Sequence, residues 1–502
     1  MRRGDRVDVI ANAHVGGEGR ELLAHPDVAT DGVYDVWLGD GRIADIAPAG
    51  ALRHRGVVLD AEGAWLVPGL WDHHVHTLQW ALAQTRLSVE HAASPAEAAR
   101  AVLAAGVRSD GRRIGVRVRD GLWREAASLA TIDETTGDVP TYLVNADLHS
   151  VWLNSAAFRR EGLLPSDTTG LLREEPAFAV QAALNAVPLE DEDAALDRVL
   201  RQAAARGVVG VQDLEIGWNA DRWRRRIARG HDPVRVRFDV YPDDLDRAIT
   251  EGLVTGDLFA ESPLVQVGML KVISDGSLGT RTAATSRPYP GGHDHGLVAV
   301  GPEELVELVT RAAGAGLATT IHAIGDVANR HALDAFAAAD VPGRIEHAQL
   351  VARSDLPRFA RLGVSASIQP EHALDDRELV EGNWDGQTAV AYPLRELADA
   401  GADILLGSDA PVAPLDPWTS MAAAVFRARG EDAPWRPHQA LDARTALAAS
   451  TDGGSTDGAR VLPGDRADLV LVAHDPLAAS AELLREMPVH ATLLGGRVTH
   501  LS

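Results

Sequence analysis

Residues 64–76 read Ala64-Trp65-Leu66-Val67-Pro68-Gly69-Leu70-Trp71-Asp72-His73-His74-Val75-His76. A short apolar run closed by polar groups reads as a buried β-strand, here 64–68 leading to His74. Side chains alternate along a strand, so His74 and His76 share one side. Two imidazoles at that spacing can hold one metal ion at about 2.0–2.1 Å. Alone, the pair more often reads as packed or surface histidines.

Seven more apolar cores follow, at 208–211, 234–240, 267–273, 318–322, 344–347, 364–368 and 404–409. Amphipathic, alanine-rich segments such as 303–315 and 331–339 fill the gaps. Strand–helix alternation predicts a parallel sheet, and eight such units predict an α/β chain built on a (β/α)8 TIM barrel. A doubly wound sheet is the structural alternative. In a barrel the strand C-termini converge on one site. His322, His347 and Asp409 each end a predicted strand, as His74 and His76 do. Four histidines and one aspartate on four strand ends outweigh the bland reading of hydrogen-bonded core histidines.

Both ends of the chain are β-rich. Runs at 7–10, 34–38, 42–46 and 57–60 surround the turn Gly39-Asp40-Gly41, and runs at 467–472, 489–494 and 497–500 surround Gly495-Gly496. Such turns between alternating runs mark hairpins. We expect one composite β-sandwich domain from 1–62 plus 455–502, with the barrel at 63–454; two unrelated β tails are the alternative. The gap after the first strand is too long for one helix. It carries strand-like 114–118 and 142–145 and helical 94–105 and 194–206. An inserted α+β subdomain at about 80–200 is expected over the barrel mouth, where loops carry chemistry.

The 502 residues are 46% hydrophobic and 24% charged, an ordinary globular balance. A net charge of −24 disfavours nucleic acid and anionic membrane as partners. Having no cysteine, the chain cannot use disulfides, thiol nucleophiles or thiolate metal sites. The basic start Met1-Arg2-Arg3 has no apolar run behind it, and no run is long enough to span a membrane. A cytoplasmic enzyme for a small-molecule substrate is expected, with a homo-oligomer, a dimer, as the default assembly.

Lys271 lies between Leu270 and Val272 in an apolar strand. A buried lysine must be paired or modified. One reading is a carboxylate pair, Asp275 being near in sequence. The other is a CO2-derived carbamate, an anionic ligand able to bridge two metal ions. Sequence spacing does not choose between them.

The run 68–76 resembles the metal-binding motif of the amidohydrolase superfamily. His149-Ser150-Val151-Trp152-Leu153-Asn154-Ser155, the run 271–281 from Lys271 to Arg281, and Ser367-Ile368-Gln369-Pro370-Glu371-His372 resemble its YtcJ-like branch, amidohydrolase family 3. Gly464-Asp465-Arg466-Ala467-Asp468-Leu469-Val470 is similar to the superfamily's closing strand. The resemblance implies one or two divalent ions, with zinc expected, and hydrolysis of a non-peptide C–N bond. It implies His74 and His76 on the more buried metal, carboxylated Lys271 bridging, and His322 and His347 on the second metal. Asp409 would bind the first metal and shuttle protons. Two departures concern the pocket: His73 stands where the family has a small residue, and 116–120 lacks the glycines often found there.

A metal-activated hydroxide would attack the carbonyl carbon, with Asp409 as general base and then general acid. Trp80, His149, Trp152, Trp218 and Arg281 are candidate pocket residues. Trp80 and Trp152 read more readily as packing between insertion and barrel, and Arg281 reads equally as a structural ion pair. Ester, lactone or carbamate hydrolysis on the same scaffold, and a non-catalytic binding protein, are the rival functions.

Overall fold

The computed structural model describes residues 1–15 and 32–502. Its centre is one parallel sheet of eight strands. These are β1 (Leu70–Val75), β2 (Val208–Asp213), β3 (Arg235–Val240), β4 (Val265–Ile273), β5 (Thr319–Ala323), β6 (Gly343–His347), β7 (Val364–Ile368) and β8 (Ile404–Leu406). Their order around the sheet follows the chain. The ring closes where Val75 bridges Ala410 and the Asp409 N–H donates to the His74 carbonyl at 2.7 Å. The strands are buried on both faces, which is why they read as apolar runs without alternation.

Helices cover the barrel by the usual amphipathic logic. Helix Pro302–Gly314 begins with proline in its first turn, has Glu303 and Glu304 there, and carries Arg311 near its end. Each choice suits the helix dipole or the missing first N–H partners. Its buried face is Leu305, Leu308, Val309 and Ala312, one stripe at helical spacing. Truncating Leu305, which is fully buried, to alanine would cost about 2–5 kcal/mol.

The run at 64–68 is not a barrel strand, contrary to expectation. Trp65–Pro68 pairs with Leu469–Val472 and with Val9–Val15 in a second sheet. The chain changes sheets at Gly69, where a Cβ would lie 2.4 Å from the Val209 side chain. Hydrophobicity runs unbroken through this junction, so periodicity merges two strands into one.

The second sheet has eight strands drawn from both ends of the chain. Leu469–Val472 sits between Trp65–Pro68 and Val489–Leu494, so N- and C-terminal segments share one ladder. The bridge from Arg42 to Arg466 curls the sheet back on itself around Ile10, Val36, Leu471 and Leu493. Between β1 and β2 the chain builds a five-stranded sheet, Leu87–Ser88, Arg113–Val118, Thr141–Asn145, Ser150–Leu153 and Leu171–Arg173, in chain order. It has its own apolar cores, one around Tyr142 and Val151 and one around Ile132 and Trp152. Helix Leu189–Ala205 returns the chain to the barrel. Among the described residues no helix is long and apolar enough to cross a membrane.

Candidate metal centre

His74 lies on β1, and His76 immediately follows it. Asp409 occupies the turn after β8 with φ 57°, a left-handed conformation costly for a residue with a side chain. That turn aims its carboxylate at the histidines. Asp409 Oδ1 is 3.4 Å from His74 Nε2 and 3.5 Å from His76 Nε2, and Oδ2 is 3.8 Å from His372 Nε2. His74, His76 and Asp409 each offer a ligand atom within 4.8 Å of the others, and so do His347, His372 and Asp409. Asp409 is therefore common to two three-residue groups.

The donor set fits a divalent cation. Burial pulls the His74 imidazole down to about 3 and the His372 imidazole to about 4, so both are neutral, the form that binds metals. Burial also pushes the Asp409 carboxyl up to about 8, a strain that an adjacent cation relieves. Nδ1 of His76 and Nε2 of His372 are buried without a hydrogen-bond partner. Neutral imidazoles with a carboxylate suit a divalent transition-metal ion.

Surrounding groups fix the rings. His74 Nδ1 donates to Glu346 Oε2 at 2.7 Å, and His347 Nδ1 to Gln369 Oε1 at 2.8 Å. Each bond leaves Nε2 as the free ring nitrogen. Glu346 also accepts from Arg344 Nε at 2.5 Å and Thr320 Oγ1 at 2.7 Å. Burial would raise its carboxyl, but Arg344 and His74 hold it well below the ordinary range.

Lys271 on β4 is 2% exposed and lines the cavity at this site. Burial pulls its amine below the usual value, against the nearby charges of Glu346 and Asp409. Asp275 accepts the N–H groups of Ala284, Ile324 and Gly325 at 2.8–3.0 Å, so its carboxylate is occupied by backbone. His322 on β5 packs 4.6 Å from the His347 ring, but its Nε2 faces Asp275 Oδ1 at 3.4 Å and the Gly276 carbonyl at 3.3 Å. It belongs to neither three-residue group.

Two cavities meet here. The larger, about 370 Å³, is walled by Leu78, Phe178, Ala182, Val187, Ile216 and Ile273. The smaller, about 90 Å³, is lined by Arg119, Asp120, Asn145, Asp375 and Asp376. His149 borders both. Its Nδ1 donates to Glu174 Oε2 at 2.8 Å. Burial lowers its pKa, but the Glu174 bond and charge outweigh this and raise it to about 9.

Four aromatic or basic candidates lie elsewhere. Trp80 is buried in the apolar core with Leu196 and Val199 and does not line either cavity. Arg281 is exposed and lines neither. Trp152 is packed within the insertion against Trp123. Trp218 stacks under the Arg247 guanidinium at 4.1 Å. In contrast, His372 was not singled out from the sequence. It lies on helix Pro370–Asp375, beyond the end of β7, where a search of strand ends does not reach.

A closed α/β barrel whose C-terminal mouth gathers imidazoles around a shared carboxylate defines a hydrolase of the metal-dependent barrel class. Residues 57–500 match the family model described as the amidohydrolase family, Amidohydro_3, and the chain belongs to that family. The putative amidohydrolase YtcJ of Bacillus subtilis (strain 168) is 24% identical, over 74% of this chain and 75% of that protein. The N-substituted formamide deformylase of Arthrobacter pascens is 28% identical, over 92% of this chain and 94% of that enzyme. The crystal structure of an uncharacterized metal-dependent hydrolase from Pyrococcus horikoshii OT3 superposes with a TM-score of 0.77 at 25% identity, over 94% of this chain and 99% of that one.

Proposed function

We propose that the protein cleaves the C–N bond of a small N-substituted amide carrying an apolar group. The observation that carries this reading is Asp409, shared by two imidazole groups at the base of a largely apolar cavity. The similarity to a formamide deformylase supports the amide over an ester or lactone.

His74, His76 and Asp409 would hold one ion, with zinc as the expected metal. His347 would serve a second, with His322 or His372 beside it and Lys271, as its carbamate, between them. A divalent cation there lowers the pKa of water toward 7 and polarises a carbonyl. Asp409 takes the proton of the attacking water and passes it to the leaving nitrogen as the C–N bond breaks. The apolar walls take the substituent and exclude bulk water. The same reading has the enzyme working as a cytoplasmic homodimer.

The test is turnover of N-benzylformamide, acetanilide and phenyl acetate by protein purified without chelator. Release of benzylamine, lost with 1,10-phenanthroline and restored by zinc, is expected. Cleavage of the ester alone, or of nothing after zinc and bicarbonate are added, would overturn the reading.

A further inference from the structure

We propose that His149 is a catalytic residue whose Nε2–H donates to the substrate carbonyl oxygen, and that Glu174 is its positioning residue. The proposal rests on the amide-hydrolysis reading above.

The first ground is place. His149 stands where the two cavities join, its ring 5.6 Å from that of His322, yet it is in neither three-residue metal group. A substrate reaching from the apolar cavity toward Asp409 passes it.

The second ground is how the ring is held. His149 spends Nδ1 on Glu174, just as His74 spends Nδ1 on Glu346 and His347 on Gln369. Such a bond fixes a ring's orientation and presents its other nitrogen. For His149 that nitrogen is Nε2, on a residue that lines both cavities.

The third ground is the effort devoted to Glu174. It sits at φ 52°, a strained conformation for a residue with a side chain. Its Oε1 accepts from Thr282 Oγ1 at 2.5 Å and Thr280 Oγ1 at 3.3 Å. Gly276 allows the approach, since a Cβ there would lie 2.8 Å from the same oxygen. The loop that clamps Glu174 therefore follows directly from β4, the strand of Lys271. The same loop holds the other flank of His149: Ser277 Oγ donates to Asp147 Oδ2 at 2.8 Å. These bonds tie the insertion to the barrel through the residues on either side of the imidazole.

As the carbonyl carbon becomes tetrahedral, its oxygen gains negative charge. A fixed N–H aimed at that oxygen is worth more in the transition state than in the ground state. The proton stays on His149, and no bond is made or broken there. A purely structural His149, resting edge-on against Phe178 at 5.5 Å, would have no such effect.

The experiment compares wild type, His149→Gln and Glu174→Gln with N-benzylformamide, measuring kcat and KM separately, metal per chain and thermal stability. His149→Gln should lose about 10²–10³-fold in kcat, with KM within about threefold and metal content unchanged. Glu174→Gln should lose about tenfold in kcat with the same KM, and it decides the matter if His149→Gln does not fold. An unchanged kcat, a rise in KM alone, or loss of metal would overturn the proposal while leaving the amidohydrolase reading intact. A wild type that cleaves no amide would overturn that reading and this proposal with it.

Discussion

Nδ1 of His74 and Oε2 of Glu346 lie 2.7 Å apart, joining β1 to β6 beneath the candidate metal centre. Neither side chain is more than 1% exposed. The bond sets which nitrogen of His74 faces Asp409, and Arg344 and Thr320 anchor it in turn. Replacing Glu346→Gln removes the charge that orders this pair. Metal affinity should fall about 10–100-fold. Competition with a chromogenic chelator measures it, and wild-type affinity in the variant would show that the ring needs no such anchor.

Asp409→Asn keeps an oxygen donor but cannot carry a proton. Turnover should fall by about 10³-fold or more, while at least one metal per chain is retained. Metal analysis beside steady-state kinetics checks both halves. Near-normal turnover would remove Asp409 from its proposed proton-transfer role.

Gly407 lies against β1, the strand of His74. A Cβ there would stand 2.8 Å from the His74 nitrogen and 2.9 Å from the His74 Cβ. Gly407→Ala should displace β1 locally, costing about 1–3 kcal/mol by overpacking and most of the activity. Denaturant melts and assays would show the two losses together.

His231 gives a pH dependence far from the metal centre. Burial pulls its imidazole down to about 4, while Nε2 donates to the Val234 carbonyl at 2.8 Å. Between about pH 6.5 and 4 the unfolded chain thus binds more protons than the folded one. Stability from this residue is present above about pH 6.5 and is lost as pH falls toward 4. His231→Gln should flatten that loss, narrowing its gap to wild type by on the order of 2 kcal/mol between pH 7 and 4.5. Urea melts across that range measure it, and a constant gap would refute it.

Metal per chain, measured after purification without chelator, separates two versions of the centre. A value near two agrees with a bridging, carboxylated Lys271. A value near one would reduce Lys271 to a structural or acid–base role.

Seven of the eight barrel strands were legible because each is a short apolar run isolated between amphipathic segments. The first was misplaced because Trp65–Pro68 and Leu70–Val75 form one unbroken run, and only Gly69 marks the change of sheet. Strand-end reasoning named His74, His76, His347 and Asp409, which the structure brings into the two three-residue groups because a barrel gathers those ends by topology. It also named His322, which stands beside the centre with its Nε2 turned to Asp275. It missed His372, which a helix carries in from beyond β7. Trp80 misled because an indole on a helix is equally suited to a cavity wall and to a core, and only packing decides. Arg281 misled because a loop sequence does not say which way the side chain faces. His149 was legible as a polar residue in a recognisable motif, but its partner Glu174 lies 25 residues away and emerges only from the fold.

The strand Trp65–Pro68 pairs with Leu469–Val472, roughly 400 positions later. On a ribosome the N-terminal strands are therefore made long before their partners exist. The barrel can begin to assemble while the terminal sheet waits, with apolar Leu66 and Val67 uncovered, until the last strands leave the exit tunnel. Chains arrested in synthesis before residue 469 would carry that open edge, a ready target for chaperones and for aggregation.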